Sequence, residues 1–146
     1  MNANRLYPPP PVLDRWRRVF LGLVGLGLTG IWGVAWGLTP HPQGFGTHQG
    51  LGLPPCTIVQ WTGERCPTCG MTTSWAWLIR GELRRSVSAN VGGMLLGLIA
   101  LAAIPWTLGS AWLGRWWGLT PDPRYGVAGL LVVLAVTLID WVARRS

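Results

Sequence analysis

The chain contains no lysine, and only five of its 146 residues are acidic. All 12 cationic side chains are arginines, leaving a formal charge of +7. Such a charge would suit a nucleic-acid binder. However, the arginines sit in short groups beside apolar segments, not along one polar face. That placement fits membrane topology and argues against a phosphate-tracking surface. Charged residues make up 12% of the chain, about half the roughly 25% carried by a soluble domain.

The same scarcity removes most enzyme classes. There is no Ser/His/Asp set and there are no paired carboxylates. No glycine-rich loop is placed to cradle a phosphate. Hydrolase and kinase chemistry have no basis in these residues, and the reading leans away from an enzyme. No internal repeat and no βαβ pattern is visible. Cysteine is scarce too: Cys56, Cys66 and Cys69 are the only three.

Apolar runs are plentiful. Val19–Leu38 is 20 residues without a charge, and Val91–Leu113 is 23. Tyr125–Ala143 is 19 residues with one acid, Asp140. A hydrocarbon core about 30 Å thick needs about 20 helical residues, so each run is long enough to span it. The first run is too long for a signal-peptide core and lacks a following small-x-small site. Leu38-Thr39-Pro40-His41-Pro42 reads instead as a helix stop. Trp16, Trp36, Trp106, Trp112, Trp116, Trp117 and Trp141 fall at or near span ends, where indole rings favour the headgroup level. Gly33-x-x-x-Gly37 and Gly93-x-x-x-Gly97 offer flat faces for close helix packing. Pro105 is expected to kink the second long span.

The expected architecture is therefore an all-α integral membrane protein. It has three long transmembrane helices plus a short re-entrant or interfacial helix carrying the CxxC motif. Residues 1–146 form a single membrane domain. A basic tail (1–18) precedes the first span (19–38). A Gly/Pro-rich external loop (39–65) follows, in which Ile58-Val59-Gln60-Trp61 reads as a brief strand or an interfacial anchor. Next come the Cys-motif short helix and turn (66–90), then spans 91–113 and 125–143. Arg5, Arg15, Arg17 and Arg18 place the N-terminus in the cytoplasm. Three simple crossings would leave Arg80, Arg84, Arg85, Arg144 and Arg145 outside. If Cys69–Ile79 enters or crosses the membrane, nine arginines lie inside and Arg65, Arg115 and Arg124 outside, as the charge rule favours. A helical hairpin turning at Arg80-Gly81-Glu82 is the form this favours, with a flat interfacial helix as the alternative.

The run Cys66-Pro67-Thr68-Cys69-Gly70-Met71-Thr72-Thr73 is the chemical focus. Two thiols at a helix start can close a disulfide, with Cys66 the more reactive thiolate and Cys69 its resolving partner. Alternatively, Cys56, Cys66 and Cys69 supply three thiolates, and His41 or His48 a fourth ligand, which is an accepted structural zinc set. Or one disulfide, from Cys56 to Cys66 or Cys69, pins the loop. No cofactor is otherwise called for; zinc is the alternative. Asp140 is a candidate proton relay, but its i,i+4 spacing to Arg144 reads first as a snorkelling ion pair. Thr72, Thr73 and Ser74 line a polar path or bond to their own helix. Arg80, Arg84 and Arg85 suit anionic headgroups or topology alone. Asn90 reads as the N-cap of the second long span.

Cys56, then Thr62-Gly63, then Cys66-Pro67-Thr68-Cys69-Gly70-Met71-Thr72, then Gly81-Glu82-Leu83, then Ala89-Asn90 resembles domain of unknown function 2752. That is a family of small bacterial integral membrane proteins. The similarity covers roughly Pro55–Leu96. It implies a multi-pass protein of the bacterial cytoplasmic membrane, with Cys56, Cys66, Cys69, Gly70 and Thr72 as signature positions. It implies no activity. The family often has arginine where this chain has Thr73, so no role of that arginine carries over. The expected function is a non-enzymatic membrane module whose partners are the lipid bilayer and another membrane protein, not nucleic acid. A thiol–disulfide or electron relay through Cys66 and Cys69 is one alternative. A cysteine-bound zinc site is the other.

Overall fold

A computed structural model describes residues 12–144. Three of its helices are long and apolar enough to cross a membrane: α1 (Arg15–Gly37), α5 (Val91–Leu113) and α6 (Pro123–Ala143). Between α1 and α5 lie a 3-10 turn (Thr47–Leu51) and three short helices, α2 (Thr57–Thr62), α3 (Met71–Leu78) and α4 (Leu83–Ala89). Among the described residues there is no strand, only an isolated bridge from Val12 to Arg115.

Each long helix begins at a side-chain cap. Asp14 accepts from the Arg17 amide, Asn90 from the Gly93 amide, and Asp122 from the Arg124 amide. These bonds satisfy orphan N–H groups that the helix itself cannot. Pro123 opens α6, where its missing donor costs nothing. Thus α5 begins and ends where the sequence places it and runs through Pro105 as one helix.

The long helices run up, down and up. At the start of α1, Leu13 N–H bonds Gly114 C=O, and the Arg18 guanidinium reaches the Ala111 and Trp112 carbonyls. So the N-terminus of α1 lies beside the C-terminus of α5. At the other end, Gly92 of α5 packs so closely on Thr137 of α6 that a Cβ would sit 1.7 Å from its hydroxyl. Of the two Gly-x-x-x-Gly faces, Gly93 and Gly97 press on Met71, Trp75 and Leu78 of α3, whereas Gly33 and Gly37 face open surface. The core joins α1 to α3: Trp32 stacks on Trp75 at 5.2 Å, beside Ala35 and Leu78. Trp75 keeps its indole donor satisfied at Gly93 C=O, 2.7 Å away.

Helices α3 and α4 form the expected hairpin. Gly81, at φ +77°, makes its turn. The buried hydroxyls of Ser74 and Ser86 meet at 2.8 Å across it, and Ser74 also donates to Asn90 C=O. This hairpin starts and ends beside the first turn of α5, at the end of the bundle where α1 finishes. The nine-to-three arginine split therefore does not stand. Arg15, Arg17, Arg18, Arg115 and Arg124 lie at one end; Arg65, Arg80, Arg84, Arg85 and Arg144 lie at the other. Arg5 and Arg145 fall outside the described residues.

Three of these arginines close helix C-termini. Arg80 donates to the carbonyls of Ala35, Trp36 and Leu38, closing the C-terminus of α1. Arg144 does the same for α4 at Val87, Ser88 and Ala89, and Arg18 for α5. Terminal carbonyls are unpaired and carry the negative end of the helix dipole. A planar guanidinium satisfies several at once, which an ammonium does less well. The Gly/Pro-rich segment is more ordered than a loop. Its Ile58–Trp61 stretch is helical, not a strand, with Trp61 84% exposed as an interfacial anchor would be.

Candidate thiol site

Cys66-Pro67-Thr68-Cys69 forms a tight turn, with the Cys69 amide bonded to Cys66 C=O at 3.0 Å. The Met71 amide returns to Thr68 C=O, and α3 begins only at Met71. Cys66 therefore precedes the helix by five residues. It is not seated on the helix N-terminus, as a CxxC at a helix start would be. The turn is held from behind by Asn90. Its Nδ2 donates to Pro67 C=O at 3.0 Å and Cys69 C=O at 3.2 Å, while its Oδ1 caps α5 at 2.6 Å. Gly70 adopts φ +90° and lies directly against Ala89 and Gly44.

Cys56 arrives from a separate segment. It immediately precedes α2, which stops after Thr62 because Gly63 turns left-handed at φ +72°. The chain then doubles back, bringing Cys56 Sγ to 3.7 Å from Cys66 Sγ. Cys66 and Cys69 sulfurs are 3.0 Å apart, and all three thiols lie within 4.8 Å of one another. Thr62-Gly63 and Asn90 thus act on the thiols through the backbone.

The thiols differ in acidity. Burial pushes Cys66 up, but hydrogen bonds from Cys69, Thr68 and Cys56 and the Thr68 amide outweigh it and hold Cys66 below its ordinary value. Burial, then hydrogen bonding to Cys66, raises Cys69 to about 12. In reduced, metal-free protein, iodoacetamide alkylation should follow this order as pH rises. Cys66 should gain reactivity at a lower pH than an ordinary thiol, and Cys69 only at a higher one. Mass spectrometry of each cysteine across pH checks this, and equal profiles for the two would refute it.

Two cavities flank the turn. One, of about 300 Å³, is lined by Cys66, Cys69, Arg65, Asp140, Trp141 and Arg144. The other, of about 430 Å³, is lined by all three cysteines and by His48 and Thr72. His48 Nε2 lies 3.2 Å from Pro54 C=O, and His41 Nδ1 accepts from the Gln43 amide. Among the described residues, neither histidine joins the three sulfurs. The Cys₃His set is therefore not assembled.

The hydroxyls after the motif serve structure. Thr73 is fully buried and meets the Thr47 hydroxyl at 2.7 Å, and Ser74 bridges to Ser86 and Asn90. Thr72 lines the wider cavity and also an apolar groove beside Leu38 and Trp75. Asp140 and Arg144 do pair, at 2.9 Å. Their place beside the thiols, and the indole of Trp141 donating to Arg65 C=O at 2.6 Å, were not evident from sequence. The i,i+4 charge pair was the only local signal of either.

No curated protein and no solved structure matches the chain. Residues 56–104, about a third of the chain, match the family described as Protein of unknown function (DUF2752); the similarity takes in the thiol turn, the α3–α4 hairpin and the first half of α5.

Proposed function

We propose that this chain is a small, non-enzymatic module of the bacterial cytoplasmic membrane in which Cys56, Cys66 and Cys69 together hold a thiophilic cation, Zn²⁺ or Cu⁺. The observation that carries this reading is the convergence of three sulfurs from two chain segments to within 4.8 Å. A staple or a redox pair employs two thiols and gives no reason for the third. In a tetrahedral site with Zn–S of about 2.3 Å, neighbouring sulfurs lie roughly 3.8 Å apart. The 3.7 Å between Cys56 and Cys66 fits. Thiolate ligands suit Zn²⁺ and Cu⁺ above harder ions. No histidine completes the set, so a fourth position stays open to a partner membrane protein. The arginines at the start of α1, Arg15, Arg17 and Arg18, favour a cytoplasmic N-terminus, because the first span usually dominates orientation. With three crossings the thiols then face away from the cytoplasm.

The 3.0 Å approach of Cys66 and Cys69 favours a second reading, since it is closer than a shared cation requires. Here the Cys66 thiolate attacks a partner's disulfide and releases one partner thiolate. Cys69 then displaces the second, leaving a Cys66–Cys69 disulfide and a reduced partner. Cys56→Ser separates the two. For the cation reading, reduced wild type binds one Zn²⁺, and the variant loses more than the roughly 10–100-fold that removing an outer partner of a ligand costs. For the redox reading, the variant keeps its Cys66–Cys69 reduction potential and wild type takes up no Zn²⁺. Equal Zn²⁺ affinity in wild type and variant would sink the cation reading.

A further inference from the structure

We propose that the last turn of α6, outside the residues that match DUF2752, sets the geometry of the thiol site through Trp141 and Arg144. The inference rests on the cation reading for its ligand, a thiophilic cation, but on separate observations for the residues. The Cys turn is braced at two backbone positions. One is Arg65, immediately before Cys66; the other is Ala89, against which Gly70 packs. The end of α6 holds both. Trp141 Nε1 donates to Arg65 C=O at 2.6 Å. Arg144 donates to Ala89 C=O at 3.4 Å and Val87 C=O at 3.0 Å, and also to Ser88 C=O. Asp140 fixes the guanidinium at 2.9 Å. These three side chains also form the far wall of the 300 Å³ cavity onto which Cys66 and Cys69 open.

The rest of α6 does not explain this grip. Its remaining surface is mostly apolar and exposed, as lipid-facing residues are, and only Val133 and Thr137 are buried. Anchoring a span needs no polar contacts to both a distant loop and the end of another helix. A site does need them, because ligand atoms must be held within about 0.5 Å of the working geometry by the residues behind them. Trp141 and Arg144 are thus positioning residues that act through the backbone on either side of the thiols.

Trp141→Phe in the full-length, reduced protein is the test. It removes the indole donor and keeps an aromatic ring. The probe is Co²⁺, whose thiolate charge-transfer band reports both affinity and sulfur geometry. The variant should bind Co²⁺ about fivefold more weakly, the effect of one neutral hydrogen bond, with an altered band, which a loss of stability alone would not produce. Arg144→Lys keeps the charge but not the fork, and should shift the band in the same direction. Identical affinity and spectra in wild type and both variants would overturn the proposal. If wild type binds no Co²⁺, the cation reading has failed by itself. The alkylation rate of Cys66 then decides the positioning role: it rises several-fold in Trp141→Phe if the role holds and is unchanged if it does not.

Discussion

Gly70→Ala is expected to take apart the thiol end of the molecule while leaving the three long helices formed. At φ +90° an alanine enters a region that L-residues avoid, at about 1–2 kcal/mol. Its Cβ would also lie 2.6 Å from Ala89 O and 2.7 Å from Gly44 O. Both are backbone atoms, so no rotamer change relieves the clash, and overpacking of this kind costs about 1–3 kcal/mol more. The sum, about 2–5 kcal/mol, is a large part of the total stability of a domain. Relief requires that α3 move off the end of α4, which breaks the bonds of Asn90 to the Cys turn. Gly81→Ala is the control. That residue also has positive φ, but a Cβ there meets nothing within 4 Å. It should lose only the conformational part. Thermal unfolding in detergent, read beside the alkylation rate of Cys66, compares them. Gly70→Ala should show the lower midpoint and an unprotected Cys66. If it is no worse than Gly81→Ala, the close approach at Gly70 is not what holds the turn.

The long helices were legible because their signals are local. A charge-free run of bilayer length and a capping side chain are both readable within one segment, and α5 shows the two together. The hairpin turn at Gly81 was legible for the same reason. The path of the hairpin was not. The positive-inside rule counts every arginine as a topological charge, yet Arg80 and Arg144 are spent on the carbonyl ends of other helices. Nothing local distinguishes such a clamp from a headgroup contact, because its acceptors lie more than 40 residues away in sequence. The thiol site was half legible. The three cysteines could be named as a set, but the element that joins them was missed. Gly63 ends α2 after six residues and turns Cys56 back toward Cys66. Read as a strand, the same residues would have carried Cys56 away. The histidines show the converse. Composition offered them as ligands, and the fold turns both toward nearby backbone groups.

Asn90 should be the most sensitive single position for coupling the Cys turn to the membrane helices, and two substitutions separate its duties. Asn90→Ala removes the cap of α5, at about 1 kcal/mol. It also strands the Pro67 and Cys69 carbonyls in a site where Asn90 itself is 4% exposed. Each orphaned carbonyl costs about 1–3 kcal/mol, so the turn loses more than the helix does. Asn90→Asp keeps an oxygen for the Gly93 amide and loses both donors. Its carboxylate then faces two carbonyl oxygens where Nδ2 stood, 3.0 and 3.2 Å away. The N-terminus of α5 attracts that anion, but by only about 0.3–1 kcal/mol. Burial and the two facing carbonyls prevail, and the aspartate pKa rises. Its protonated form can return one hydrogen bond to the turn. A group whose folded pKa is raised adds stability at low pH and loses it as pH climbs through that pKa. The defect of Asn90→Asp should therefore ease on acidification, whereas that of Asn90→Ala should not follow pH in this way. Thermal midpoints of both variants against wild type across the acidic range measure this. A defect in Asn90→Asp that is independent of pH, or no larger than the loss of a helix cap, would show that the two carbonyls do not depend on Asn90.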